Sequence, residues 1–178
     1  MIYVFLANGF EEIEAITPID ILRRGGVEVM TVGINGKIVV GSHNIPIECD
    51  IEINDVSIRD MQGIILPGGI PGTPNIERCG KAIMLIKHAI DNDLLVCAIC
   101  AAPSILGKRD MLNGKNATCY PGYEDLLNGA VIYDEKVVKD GNIITSKGAG
   151  TAAEFSFEIL TYLKGKVISD KIKAQMQY

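Results

Sequence analysis

Three kinds of residue in this sequence could do chemistry. They are closely spaced thiols, a run of carboxylates near the N-terminus, and glycine pairs that free backbone N–H groups. In "LLVCAICAAPSIL" (94–106), Cys97 and Cys100 form a C-x-x-C. That spacing suits a redox dithiol or half of a metal site. In a dithiol site the first cysteine is normally the exposed one, at the strand–helix junction. Here Cys97 lies inside the apolar run "LLVCAI", which predicts burial in a sheet. A zinc site would need a second ligand pair, and Cys49, Cys79, Cys119, His43 and His88 form none in sequence. Cys100 instead falls between a buried strand and a helix, flanked by Ala98 and Ala102. This is the pattern of a nucleophile elbow, where small residues at ±2 permit a strained turn that projects the side chain. A helix N-terminus after it would lower the thiol pKa. The alternative is an inert cysteine in an apolar run, and spacing alone does not separate the two.

The carboxylates of "GFEEIE" (9–14) open a helix, where acidic side chains suit the macrodipole. That accounts for Glu11 and Glu12. Glu14 differs, because Pro18 follows it by four and cannot donate to its carbonyl, predicting a kinked or irregular helix. A carboxyl beside a thiol is a coupled system in which one partner holds a proton at neutral pH. A protonated Glu14 bonded to a thiolate would lower the cysteine pKa further. In "LPGGIPG" (66–72), Gly68 and Gly69 let backbone approach a ligand. The N–H groups of Gly69 and Ala101 could then form an oxyanion hole; the other reading is an ordinary tight turn. The segment is no Walker loop, and "GAG" (148–150) is no dinucleotide fingerprint but a turn before a helix.

These residues must be positioned by alternating strands and helices. "IYVFLA" (2–7), "GIILPGG" (63–69) and "LLVCAI" (94–99) are apolar runs expected of strands covered on both faces. "VEVMTV" (27–32) and "NATCY" (116–120) add strands. A helix over 11–24 ends at "RRGG". "KIVVGSHNIPIECD" (37–50) predicts a hairpin with Pro46 at an edge. "KVVKDGNIITS" (136–146) predicts another, with an Asp140-Gly141 turn. Ile76, Ile83, Ile86 and Ile90 predict one face of a single helix, and "AAPSILGKRDML" begins another. Thr151–Glu154 predicts a capping box opening the last major helix, buried through Ala152, Phe155, Ile159 and Leu163. Such alternation implies right-handed βαβ units around a parallel sheet, with ligands beyond the carboxyl ends of the strands.

The gross properties bound the function. A chain of 178 residues with 48% hydrophobic residues fits one domain spanning 1–178. Net charge is −5 and the basic residues are scattered, which argues against nucleic acid. The mixed C-terminal "DKIKAQMQY" reads as a solvated helix face. No apolar run is long enough to span a membrane. "MIYVFLANGFEE" has neither a basic n-region nor a cleavage site, so it reads as a first strand and predicts a cytoplasmic protein. Five cysteines, an odd number, argue against a disulfide framework.

Taken together, "GFEEIEAITPIDILRRGG", "IILPGG", "AICAAP" and "ITSKGAGTAAEF" resemble the ThiJ/PfpI superfamily. Within it, they are most similar to the branch of the Parkinson-associated deglycase/glyoxalase (DJ-one) and its bacterial relatives. The four motifs run in order over nearly the whole chain. The resemblance implies a flavodoxin-like three-layer α/β sandwich, its mostly parallel sheet covered by helices on both faces, and usually a homodimer. It implies Cys100 as nucleophile, Glu14 as its protonated partner, and Gly69 and Ala101 as backbone donors. It also implies cofactor-free glyoxalase III or deglycase activity on small aldehydes or glycated substrates, or redox sensing through cysteine oxidation, with no metal. Some relatives carry a histidine near the cysteine, in a segment like "THP". Here the segment is "TCYPGYED" and Tyr120 takes that position, which weakens a cysteine-peptidase reading most. Gly68, Tyr120 and His43 complete the candidate pocket, His43 by reaching the site across a dimer interface. His88 has no expected role.

Overall fold

The computed structural model describes Met1–Tyr178, and its core is set by strands buried along their whole length. β1 (Ile2–Leu6) is followed by α1 (Glu12–Arg24), β2 (Val29–Gly33), the short β3 (Ile38–Val40), β4 (Pro46–Glu48) and β5 (Ile51–Glu52). Next come β6 (Gly63–Leu66), α2 (Gly72–Arg78), α3 (Gly80–Asp91), β7 (Leu95–Ile99) and α4 (Pro103–Gly107). The chain finishes with β8 (Asn116–Ala117), β9 (Val131–Ile132), β10 (Val137–Asp140), β11 (Ile143–Ser146), α5 (Ala152–Lys164) and α6 (Lys166–Gln175).

Seven strands form one sheet in the order β10-β11-β7-β6-β1-β2-β5. Every neighbouring pair is parallel except the edge hairpin β10–β11. The period-2 alternation of strands divides the core into two layers. Tyr3, Phe5, Ile64, Leu66, Val96 and Ala98 pack with Ile76, Leu85, Ile86 and Ile105 on one face. Ile2, Val4, Leu6, Ile65, Cys97 and Ile99 pack with Ile19, Leu22, Phe155, Ile159 and Leu160 on the other. The result is the expected flavodoxin-like sandwich. β3 and β4 form a separate antiparallel hairpin, and β8 and β9 a two-stranded parallel pair.

Several local expectations change. The isoleucine face is split between α2 and α3, because Cys79 takes an extended conformation (φ −81°, ψ 102°) between them. The buried face of α3 is Ala82, Leu85, Ile86 and Ala89. The second hairpin turns at Gly141-Asn142, since Asp140 still pairs with Ile143. α1 stays helical through Pro18. The capping box at Thr151 does not form. A 3-10 turn at Ala149–Thr151 precedes α5, and the Thr151 hydroxyl donates to the Gly148 carbonyl (2.9 Å) and meets Ser146 Oγ (2.6 Å). Glu154 pairs instead with Lys136 (2.6 Å). α6, only partly anticipated as a solvated face, buries Ser169 and Ile172 and packs on α5. No helix is long and apolar enough to cross a membrane.

Candidate active site

Four adjacent strands, β11, β7, β6 and β1, deliver their carboxyl ends to one crevice. Cys100 follows β7 directly and sits at φ +64°, the left-handed region that side chains other than glycine rarely adopt. Such a conformation costs about 1–3 kcal/mol and persists only where surrounding structure imposes it. Two bonds do so here. The Cys100 N–H donates to the Ser146 carbonyl (2.9 Å), and its carbonyl accepts from the Tyr120 N–H (2.9 Å). Ala98 and Ala102 are fully buried, leaving no room for larger neighbours at the turn. Cys97, three residues back, is fully buried inside β7 among the α5-side core. The C-x-x-C is therefore two unrelated sulfurs, and all five cysteines are free thiols.

Glu14 enters from the first turn of α1 and is 1% exposed. Its Oε2 accepts from the Gly68 N–H (2.9 Å). Its other partners are the Ala149 N–H and the Cys100 thiol. Gly68 is required by close approach: a Cβ there would stand 2.7 Å from both Cys100 Cβ and Glu14 Oε2. Gly69 sits at φ +90°, and the backbone N–H groups of Gly69 and Ala101 both favour the Cys100 thiolate.

Electrostatics couple the pair. Burial pushes Glu14 up to about 7, aided by the charge of Glu11 and opposed by the Gly68 N–H, Cys100 and the Ala149 N–H. Burial likewise pushes the Cys100 thiol up to about 12, with Glu14 adding its charge and hydrogen bond and the Ala101 and Gly69 N–H groups pulling down. The expected lowering by a helix N-terminus is not met. α4 is only five residues long, and desolvation plus a neighbouring carboxylate outweigh it. As a unit, the pair loses its two protons in separate steps, one raised above a free carboxyl and the other above a free thiol. Between those points it carries one negative charge. The thiolate arises when Glu14 takes the thiol proton.

The remaining candidates are placed differently. Tyr120 is half exposed, with its ring near Gly148 and edge-on to Tyr123 (6.4 Å between centroids, 84°). His43 lies on the loop between β3 and β4 and bonds Glu12 of its own chain (Nδ1–Oε2 2.9 Å, N–H to Oε1 2.8 Å). Glu11, Glu12 and His43 also lie close enough together to hold a metal ion. His88 keeps to the surface side of α3, where Asn92 caps its carbonyl. Sequence reasoning missed Ala149, whose N–H serves Glu14. The clue was available: "GAG" follows the strand "IITS" and is a fourth strand end, although it reads locally as a mere turn.

A family model described as the DJ-1/PfpI family matches residues 1–162. Protein dj-1beta of Drosophila melanogaster is 39% identical over 166 residues, covering 92% of this chain and 89% of that protein. A DJ-1 superfamily protein from Salmonella typhimurium, solved as a cysteine-to-alanine mutant, superposes with a TM-score of 0.95 at 30% identity, covering 99% of this chain and 97% of that one. Oxidized DJ-1 from Toxoplasma gondii superposes equally well, with a TM-score of 0.95 at 31% identity and coverage of 99% and 97%.

Proposed function

The chain belongs to the DJ-1/PfpI family, and on that premise we propose that it is a cofactor-independent, cysteine-dependent glyoxalase III or deglycase acting on small 2-oxoaldehydes or their adducts. The observation that carries this reading is the buried contact of Glu14 with a Cys100 held in a left-handed turn. Glu14 accepts the thiol proton, and the thiolate adds to the aldehyde carbon. The new C–S bond forms as the carbonyl electron pair moves to oxygen, which takes a proton from Glu14 to give a hemithioacetal. Glu14 then removes the proton on that carbon and returns it to the neighbouring carbonyl carbon by way of an enediol. This leaves the thioester of a 2-hydroxy acid. Water cleaves the thioester, releasing the acid and restoring the thiol. The net change is addition of one water to the 2-oxoaldehyde. The Gly69 and Ala101 N–H groups stabilise the thiolate and the developing oxyanion beside it.

The supporting chemistry is that one buried carboxyl titrating near neutrality can both accept and donate a proton at working pH. Purified Cys100→Ser protein is expected to make no lactate from methylglyoxal. Retained turnover would sink the reading.

The same geometry favours a second reading, oxidative sensing or protection. Two N–H groups and a protonated carboxyl around one sulfur could hold the oxygens of a sulfinate. Mild peroxide followed by mass spectrometry separates the two. Oxidation confined to Cys100, with no aldehyde turnover, favours sensing; oxidation spread over several cysteines counts against it. The reading includes a homodimer, supported by exposed Ile13 and Ile16 on α1 and Ile45 beside β4. Sedimentation at micromolar concentration tests it.

A further inference from the structure

Nothing in the catalytic pair itself says which substituent the aldehyde carries. That information lies in what stands next to it. Tyr120 is fixed at the crevice by its backbone, whose N–H donates to the Cys100 carbonyl (2.9 Å). Gly148 locates its ring relative to the carboxyl. A Cβ added at Gly148 would meet Tyr120 Cδ2 at 3.3 Å and Glu14 Oε1 at 3.8 Å. The tyrosine ring and the catalytic carboxyl therefore flank one small gap, which the absence of a side chain at Gly148 keeps open. The ring is 50% exposed although it stands beside a buried pair, and Ile70, the residue after Gly69, is 57% exposed. Both leave apolar surface exposed next to residues of the site.

Charge points the same way. Gly69, Ile70, Ala101, Tyr120 and Gly148 offer no cation. Two basic side chains, His43 and Lys147, are engaged elsewhere. His43 bonds Glu12, and Lys147, next to Gly148, pairs with Asp134. Glu11 adds negative potential that already acts on Glu14. Within one chain, a carboxylate on the substrate would meet repulsion with no cation among these residues to offset it.

We propose that the Cys100 site selects neutral 2-oxoaldehydes with an apolar or aromatic substituent, seated on the Tyr120 ring, and discriminates against anionic ones. This rests on the glyoxalase reading for turnover but not for the preference itself. Aromatic contacts of this kind contribute up to about tenfold in affinity.

The test compares kcat/KM for phenylglyoxal, methylglyoxal and 4,5-dioxovalerate. It is paired with the rates at which phenacyl bromide, iodoacetamide and iodoacetate alkylate Cys100, each divided by its rate with free cysteine. Wild type is expected to rank phenylglyoxal above methylglyoxal and both above dioxovalerate, and phenacyl bromide above iodoacetate. Tyr120→Ala should lower the phenylglyoxal-to-methylglyoxal ratio by about tenfold, whereas Tyr120→Phe should keep it. A ratio untouched by Tyr120→Ala, or dioxovalerate and iodoacetate as the faster partners, would overturn the proposal. If no aldehyde turns over but phenacyl bromide still outpaces iodoacetate in a Tyr120-dependent way, the preference stands and the glyoxalase reading fails.

Discussion

Glu12 and Glu14 lie two residues apart on α1, are 7% and 1% exposed, and titrate in opposite directions. Burial raises both. At Glu12 that rise is overcome by the His43 imidazole and N–H, an N–H of its own helix turn and the Ser42 hydroxyl, so its carboxyl ends below the usual range. At Glu14 two backbone N–H groups and a thiol are too little, and it ends near 7. What separates them is whether the donors around a buried carboxyl outweigh its desolvation. Glu12 faces a basic group and several donors, and fastens the β3–β4 loop to the helix. Glu14 faces a thiol that competes for the same proton.

The largest effect that could break this contrast is on rate. On the proposed mechanism Glu14→Gln removes the proton acceptor and should cut kcat for methylglyoxal by about 10²–10⁴-fold, the usual range for a general base. Glu12→Gln should stay within a few-fold of wild type. Equal losses in steady-state kinetics would erase the distinction.

Stability should move the other way. Between about 4.5 and 7 the folded protein holds a proton on Glu14 that the unfolded chain has released, so this group's contribution falls as pH rises through that window. The loss is complete above about 7 and amounts to about 3 kcal/mol. Glu14→Gln is therefore expected to be more stable than wild type at pH 8, by about 1–3 kcal/mol in urea unfolding. Glu12, with its lowered value, contributes stability that is present above 4.5 and lost as pH falls through its folded value. Glu12→Gln should lower stability at pH 7 by about 1 kcal/mol. A destabilised Glu14→Gln at pH 8 would contradict the electrostatic assignment.

A smaller effect sharpens the steric side. Gly68→Ala places a methyl group against both Cys100 Cβ and Glu14 Oε2. It should cost about 1–3 kcal/mol and displace the pair. A crystal structure of the variant with the Glu14–Cys100 contact intact would count against the close-approach requirement. The smallest change is expected from His43→Ala. His43 is raised by the Glu12 hydrogen bond and then by the charges of Glu11 and Glu12. Its contribution is therefore present below about 6.5 and lost as pH rises through its folded value. Urea unfolding at pH 6 and pH 9 should show the variant's deficit shrinking at the higher pH.

Much of the site was legible because its parts stand at strand ends. Cys100, Gly68 and Gly69 follow continuous apolar runs, whereas the irregularity that Pro18 predicted at Glu14 does not occur. The burial of Cys97 followed from its place within the run. What escaped is set by register and depth. Ala149 reaches Glu14 only because β11 lies beside β7 with Ser146 opposite Ile99, a pairing no local pattern encodes. The upward shift of Cys100 escaped for a related reason. A helix N-terminus is visible in sequence, but its shortness and the desolvation around the sulfur are properties of the packed molecule. The broken isoleucine helix shows the same limit, since the extended Cys79 interrupts a periodicity that continues on either side.

If Glu14 and Cys100 share one proton, thiol reactivity should follow the titration of the pair. The rate of Cys100 alkylation by iodoacetamide should rise in wild type through a step near pH 7 and then level off. In Glu14→Gln that step should vanish, leaving a single ionisation above about 9, where burial alone holds the thiol. Superimposable profiles for the two proteins, with one step near the ordinary cysteine value of about 8.5, would contradict the account.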